Sequence, residues 1–317
     1  MSYRPNPFAR MLLSNRSRSI AVMVPDITDP YCSQILRGIE EGLYKSGYSL
    51  MLADIQNHRS RFKGYLNMLM DRRVEGIIAI ANSMYLPTNV LGEFEHGKLP
   101  TVVIGRQPEQ GFLSSVVVDN AGGAREALSY LRTLEHTRIA FIRGPRQLVD
   151  SDQRWNGQCA AAKDFGLRID PQLVSRLEQP ASSYEGGYKS TQALIKSKRR
   201  FTAIMAFDDM TAFGAISALE NAGLAVPGDC SVIGFDDVAS AEFYNPPLTT
   251  IRQPMEDLGA ISVEILLNDL KVVGGTAKQT LLSPVRRVVK AELVIRKSTA
   301  PIVSDFSANK TIACAWR

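Results

Sequence analysis

Ser19-Ile20-Ala21-Val22-Met23-Val24-Pro25-Asp26 is the stretch on which the fold reading turns. Ile20 to Val24 is an unbroken apolar run rich in β-formers, and a strand apolar at every position is one covered on both faces. Tyr31 to Ser46 then sets Cys32, Ile35, Leu36, Ile39 and Leu43 at helical spacing, with Gly47 as its stop. The alternation continues along the chain. Further strands are predicted at Ser49–Ala53, Gly76–Ala81, Thr101–Ile104, Val116–Val118, Ile139–Ile142, Ala203–Phe207 and Ser231–Phe235. Helices are predicted at Arg61–Arg72, Gly122–Leu134, Gln153–Phe165, Gly186–Lys196, Met210–Ala222 and Met255–Leu270. Apolar strands alternating with amphipathic helices make a parallel sheet with crossover helices. The count leaves two α/β readings open, one long doubly wound sheet or two similar lobes, and a length of 317 residues favours two lobes. In either, ligands belong beyond the carboxyl ends of the strands. That places Pro25–Tyr31, Gly144–Trp155, Phe207–Met210 and Phe235–Val238 on the ligand-facing edge.

Composition excludes several classes. A 45% hydrophobic and 22% charged chain with no run long enough to cross a bilayer reads as globular and not membrane-bound. The first apolar run stops at Pro25-Asp26, too short for a signal-peptide core, so a cytoplasmic location is expected. Cys32, Cys159, Cys230 and Cys314 are scattered, without metal spacing or a disulfide framework. The net charge of +5 is uneven: Met1 to Ser19 holds Arg4, Arg10, Arg16 and Arg18 and no carboxylate. Such an arm suits a phosphate backbone, through counterion release, and equally a solvated terminal tail.

Enzyme signatures fail. His58, His96 and His136 form no H-E-x-x-H, no serine sits in a G-x-S-x-G elbow, and no G-x-G-x-x-G follows the first strand. Gly92-Glu93-Phe94-Glu95-His96-Gly97-Lys98 imitates a phosphate-binding loop until Leu99, where a hydroxyl is needed. Asp208-Asp209 and Asp236-Asp237 offer oxygen ligands, but each is one turn's worth of carboxylate. Neither catalysis, a cofactor nor a metal is expected.

A set of collinear segments is more specific than any of these. Tyr3-Arg4-Pro5-Asn6-Pro7-Phe8-Ala9-Arg10-Met11-Leu12 before the first strand is one. Val74-Glu75-Gly76-Ile77-Ile78, Val117-Val118-Asp119-Asn120 and Arg138 through Pro145 follow. Ser231-Val232-Ile233-Gly234-Phe235-Asp236-Asp237, Pro247-Leu248-Thr249-Thr250-Ile251-Arg252-Gln253-Pro254 and Leu293-Val294-Ile295-Arg296-Lys297-Ser298-Thr299 complete it. In order and spacing the chain resembles the lactose/galactose-repressor family of transcription regulators. The resemblance implies a two-lobed, periplasmic-binding-protein-like (type I) fold, each lobe a parallel sheet flanked by helices. Its expected division is a basic hinge arm over 1–19, an N-terminal lobe over 20–119 and 254–281, a C-terminal lobe over 120–253 and 282–299, and a tail over 300–317. It further implies a small effector, a sugar with a purine-like base as runner-up, bound between lobes, a homodimer, and an operator DNA partner reached through the hinge.

Carried over by position, the resemblance assigns effector contacts to Asp29, Tyr31, Cys32 and Arg106, and to Asp150, Arg154, Ser182, Tyr184, Asp208 and Asp236. Arg154 is the clamp, since a planar guanidinium donates two parallel hydrogen bonds. Asp236 and Asp208 accept from hydroxyls or a ring N–H, Tyr31 or Tyr184 stacks on a sugar face, and Asp150 and Ser182 tune specificity. Hinge contacts to DNA fall to Asn6, Ala9, Arg10 and Leu12, with Leu12 as the wedge between base pairs. Each residue has a plainer alternative. These are helix capping for Asp208 and Asp236, a surface ion pair for Arg154, packing under the first helix for Tyr31, a buried thiol for Cys32, and helix packing for Leu12.

Two departures bear on this. Gly105 stands where many members carry Asp, and Cys32 where an aromatic is common. The family also places a helix-turn-helix of some fifty residues before the position of Tyr3, so this chain is expected to lack base-reading contacts in the major groove. The competing function is a stand-alone sugar-sensing module, against which the arginine-bearing arm argues. In a gel-shift series, this chain alone is expected to bind DNA weakly, with steep salt dependence and little sequence preference; tight, selective binding at physiological salt contradicts that.

Overall fold

The computed structural model describes residues 16–56, 58–81, 99–106, 113–146, 148–178, 184–273 and 283–302. The chain divides into two units, Met1–Val117 with Met255–Val288, and Val118–Pro254 with Val289–Arg317. The chain therefore passes from one unit to the other three times. The last passage follows Val288 rather than 281, because strand β11 (Arg286–Val289) joins the edge of the first unit's sheet.

In the first unit, strands β1 (Ser19–Val24), β2 (Ser49–Asp54), β3 (Gly76–Ile80), β4 (Thr101–Ile104) and β5 (Ser114–Val118) pair in parallel, in the order β11-β5-β4-β3-β1-β2. Ile20 to Val24 and Ile77 to Ile80 are wholly buried, as their apolar sequence requires of central strands. Helix α1 (Pro30–Lys45) begins where Asp29 accepts the Tyr31 N–H and proline occupies the first turn. It stops before Gly47, whose φ of 72° an L side chain rarely adopts. Helix α2 (Arg59–Asp71) follows β2, and the long α8 (Met255–Val273) packs on α1. Gly38 and Gly259 permit that approach: a Cβ on Gly38 would overlap the Glu256 carbonyl, and one on Gly259 the Ile35 carbonyl.

Two arginines of the basic arm are tied down in this unit. Arg16 pairs with Glu75 at 3.0 Å and donates to the Tyr48 hydroxyl, and the Arg18 N–H donates to Glu75. Arg16 is thus engaged by the protein, where charge alone offered it either to a phosphate backbone or to solvent.

In the second unit, β6 (Ile139–Arg143), β7 (Val174–Arg176), β8 (Ala203–Met205) and β9 (Ser231–Ile233) form a parallel sheet ordered β7-β6-β8-β9. Alternate residues feed two cores. Ala140, Ile142, Ile204 and Val232 pack on one face under α5 (Tyr184–Lys196) and α6 (Asp209–Asn221). Ile139, Phe141, Ala203, Met205 and Ile233 pack on the other under α3 (Asn120–Thr133) and α4 (Val149–Asp164). Beyond β9 the short helix α7 (Ser240–Phe243) leads to β10 (Thr250–Arg252), which pairs antiparallel with β12 (Glu292–Val294) and is bridged to the β9 end at Asp236. Among the described residues no helix is long and apolar enough to cross a membrane.

Gly38→Ala is expected to lower the unfolding free energy by about 2 kcal/mol through overpacking against α8. Gly64→Ala in α2, where nothing lies within 4 Å of the added carbon, is expected to be neutral or stabilising by up to about 1 kcal/mol. Urea titrations of the two variants check this, and equal effects contradict the close-packing account.

Candidate functional site

Helix α4 carries Asp150 and Asp152 in its first turn, where negative charge suits the helix's positive end. Arg154 follows one turn after Asp150 on the same face. Both are buried, Asp150 to 4% and Arg154 to 5% exposure. A guanidinium so placed must be answered by acceptors, because unpaired buried charge is strongly penalised. Its Nε donates to Asn120 Oδ1 at 2.9 Å, Nη1 to the Phe207 carbonyl at 2.6 Å, and Nη2 to Asp236 Oδ1 at 3.4 Å. Its planar faces are covered by Phe235 at 3.7 Å and Phe207 at 4.8 Å from the ring centroids. Three of five donors are thereby used.

Phe-Asp-Asp occurs at the ends of two adjacent strands, as Phe207-Asp208-Asp209 after β8 and Phe235-Asp236-Asp237 after β9. The two copies do parallel work. Each phenylalanine flanks Arg154, one from each core of the sheet. Asp208 caps α6, accepting the Thr211 N–H at 2.8 Å. Asp236 is placed differently: its Oδ1 accepts from Gln253 Nε2 at 2.5 Å as well as from Arg154, and α7 has Ala239 at its cap position. The backbone at Asp236 stands at φ 122°, a sparsely populated region held by Asp236 N–H to the Ile251 carbonyl at 2.7 Å and Gln253 N–H to the Asp236 carbonyl. Asp209 accepts from Thr250 and from the Val238 N–H, while Asp237 pairs with Arg252 and Arg296, each at 2.7 Å. Of the four carboxylates that sequence offered as oxygen ligands, Asp208 caps a helix, Asp209 and Asp237 anchor loops, and Asp236 meets Arg154 and Gln253.

Burial pushes the Asp150 carboxyl up to about 6, against the opposing charge of Arg154 and the hydrogen bond from Asn120 Nδ2 at 3.2 Å. Burial likewise raises Asp209, against its bonds from Thr250 and Val238. Asn120 is the hub of the group: it accepts from Arg154 and donates to Asp150 and Gln153.

The structure brings Asp150, Arg154 and Asp236 into one network. Asp208 sits on the adjacent strand end as a cap. Tyr184 opens α5 at 42% exposure, and Ser182 lies outside the described residues, as do Asn6, Ala9, Arg10 and Leu12. In the first unit Asp29 caps α1, Cys32 Sγ lies 3.7 Å from Asp29 Oδ2, and Tyr31 and Cys32 are buried to 3% and 1%. Both of those side chains are buried at the start of α1. Arg106 follows Gly105 at the end of β4, and the φ of 83° at Gly105 disfavours any residue with a Cβ there. Sequence reasoning placed Gln153, Phe207 and Phe235 only within strand-end segments on the ligand-facing edge, and gave no role to Asn120 or Gln253. The recurrence of Phe-Asp-Asp was the available signal for the phenylalanines.

Comparison with known proteins gives a consistent result. Residues 128–299 match the family described as periplasmic binding protein-like domain. The chain is 32% identical to the HTH-type transcriptional repressor CytR of Escherichia coli strain K12, over 94% of this chain and 84% of that protein. It is 32% identical to the ribose operon repressor of the same strain, over 84% and 80%. A LacI family transcriptional regulator from Enterococcus faecium, solved with bound ribose, superposes with a TM-score of 0.76 at 30% identity, covering 90% of this chain and all of that one.

The raised Asp150 has a signed consequence. Its folded pKa exceeds the ordinary aspartate value of 3.8, so the native state holds the proton longer than the unfolded chain, and its contribution to stability falls as pH rises from 3.8 to about 6. Asp150→Asn, which keeps the oxygen facing Asn120, is expected to gain thermal stability relative to wild type as pH climbs across that window. A difference in Tm that does not change with pH contradicts the buried-carboxyl reading.

Proposed function

We propose, for a chain that belongs to the LacI family of transcription regulators and spans its periplasmic-binding-protein-like core, that the Arg154 cluster holds a sugar effector whose binding controls operator occupancy, and that the protein is a cytoplasmic repressor. The observation that carries this reading is the fixed guanidinium of Arg154 at the carboxyl end of the second unit's sheet, between Phe207 and Phe235 and beside Asp236. Two of its five N–H donors meet no acceptor among the described residues, and vicinal hydroxyls of a sugar match a planar two-donor fork. Asp236 supplies the complementary acceptor. The contact between the two, at 3.4 Å, is the longest in the network, so a ligand oxygen that bridges them displaces little.

Rigidity is the second support. Aromatic faces and the Asn120 bond hold the guanidinium in one orientation before the ligand arrives, so little side-chain entropy remains to be lost on binding. The choice of a sugar draws on the relatives, one a repressor of a ribose operon and another crystallised with ribose. A ligand that favours one arrangement of the regulator shifts its population, and the basic arm before β1, with Asn6, Ala9, Arg10 and Leu12, conveys the shift to DNA. Homodimerisation doubles the arms on the operator.

Isothermal titration with D-ribose, and with hypoxanthine as the purine arm, tests the assignment. Ribose is expected to bind, with at least about tenfold weaker affinity in Asp236→Asn and Arg154→Lys, and each variant retains a cooperative thermal transition. Binding of unchanged strength in both variants refutes the site, and a response to hypoxanthine alone refutes the sugar.

A further inference from the structure

At the opposite edge of the second unit's sheet, where β6 begins, lies a cleft of about 750 Å³ lined by Arg132, Arg138, Arg168, Arg199 and Asp170, with Leu167 and Pro171 on its apolar side. Five residues of β6 at ~3.3 Å rise separate it by roughly 15 Å from Gly144 and the Arg154 cluster. The cleft is independent of the effector reading.

Its charge is not accounted for by the fold. Helix C-termini attract cations, and α3, α4 and α5 all end at this edge. Each already has its own cation in the last turn, Arg132, Lys163 and Lys196 respectively. Arg138, Arg168 and Arg199 come after those turns and are surplus to them. All three are exposed, and among the described residues no carboxylate lies within 4 Å of any of their guanidinium groups. Arg132 spends one N–H on the His136 carbonyl and keeps the rest. The single carboxylate of the lining, Asp170, is occupied with the Gln172 N–H at 3.0 Å. Lys196-Ser197-Lys198-Arg199-Arg200 adds further positive charge beside the cleft, and no Asp or Glu occurs between Glu185 and Asp208. Four like charges converging on one concavity repel one another, and a stable function for that arrangement is an anion that bridges them.

We propose that this cleft binds a small molecule bearing two or more linked phosphate groups. The four arginines against one aspartate leave three net positive charges, the complement of a di- or triphosphate. Guanidinium forks match phosphate oxygens two at a time, which point charges such as lysine do not. The volume is that of a small-ligand site and not of an extended track for a polymer.

Inorganic triphosphate titrated calorimetrically into the whole chain at fixed ionic strength tests this. One-site, saturable binding is expected, weakened at least about tenfold in Arg138→Gln/Arg168→Gln and unchanged in Lys189→Gln on the surface of α5. Heat that fails to saturate, or equal affinity in the double variant, overturns the proposal. Should the double variant lose its cooperative thermal transition, the wild-type chain decides: triphosphate is expected to protect Arg138, Arg168 and Arg199 from phenylglyoxal, read by mass spectrometry. Absence of protection overturns the proposal. Stronger protection by duplex DNA than by triphosphate at equal phosphate concentration also overturns it, in favour of a nucleic-acid surface.

Discussion

The second unit is organised around one buried cation. A guanidinium at 5% exposure costs several kcal/mol in desolvation unless geometry and partners return it, and the elements nearest Arg154 are arranged to do so. Helix α3 contributes Asn120, the end of β8 a carbonyl and a ring, the end of β9 a second ring and a carboxylate. Gln253, after β10, holds that carboxylate in turn. Truncating Arg154 would strand acceptors belonging to three separate segments. The strained backbone at Asp236 lies in the same network, held by its bonds with Ile251 and Gln253.

Much of the fold was legible in the sequence because its central strands are apolar on both faces. β1 and β3 were located to within a residue, and the helices to within a few. The misses have physical causes. β5 begins at Ser114, two residues before the apolar run, because Ser114 and Ser115 are buried against partners distant in sequence; Ser114 Oγ meets Asp269 and the Val285 N–H. The short β7, β10, β11 and β12 lack periodicity, and β11 is mostly exposed, so only pairing with a neighbour makes them strands. Helix α4 starts at Val149, four residues before the apolar spacing begins, since Asp150, Ser151 and Asp152 read as loop residues until the helix end they stabilise is known.

Legibility of the site followed a different rule. Arg154 and Asp236 came from resemblance, and in the structure they meet as a buried cation and one of its acceptors. Asp208 and Asp236 look alike in sequence, and only the register of the following helix separates the cap from the network member. Asn120 and Gln253 lie inside the segments that carry the resemblance, yet neither was assigned a role, because an amide's role depends on what lies across from it. Arg138 and Arg168 are 30 residues apart, and Arg168 and Arg199 are 31; their convergence is a product of the parallel sheet, which returns each segment to the same edge.

That sheet gives the unit two chemically distinct ends, one where charge is buried and neutralised, and one where it is exposed and meets no carboxylate among the described residues. The account depends most on the first. The direct measurement is the Arg154 side-chain Nε–H resonance in ¹⁵N-labelled protein, followed during addition of D-ribose. The account predicts a shift of that resonance that saturates together with the calorimetric isotherm; ribose binding that leaves it unmoved would contradict the account.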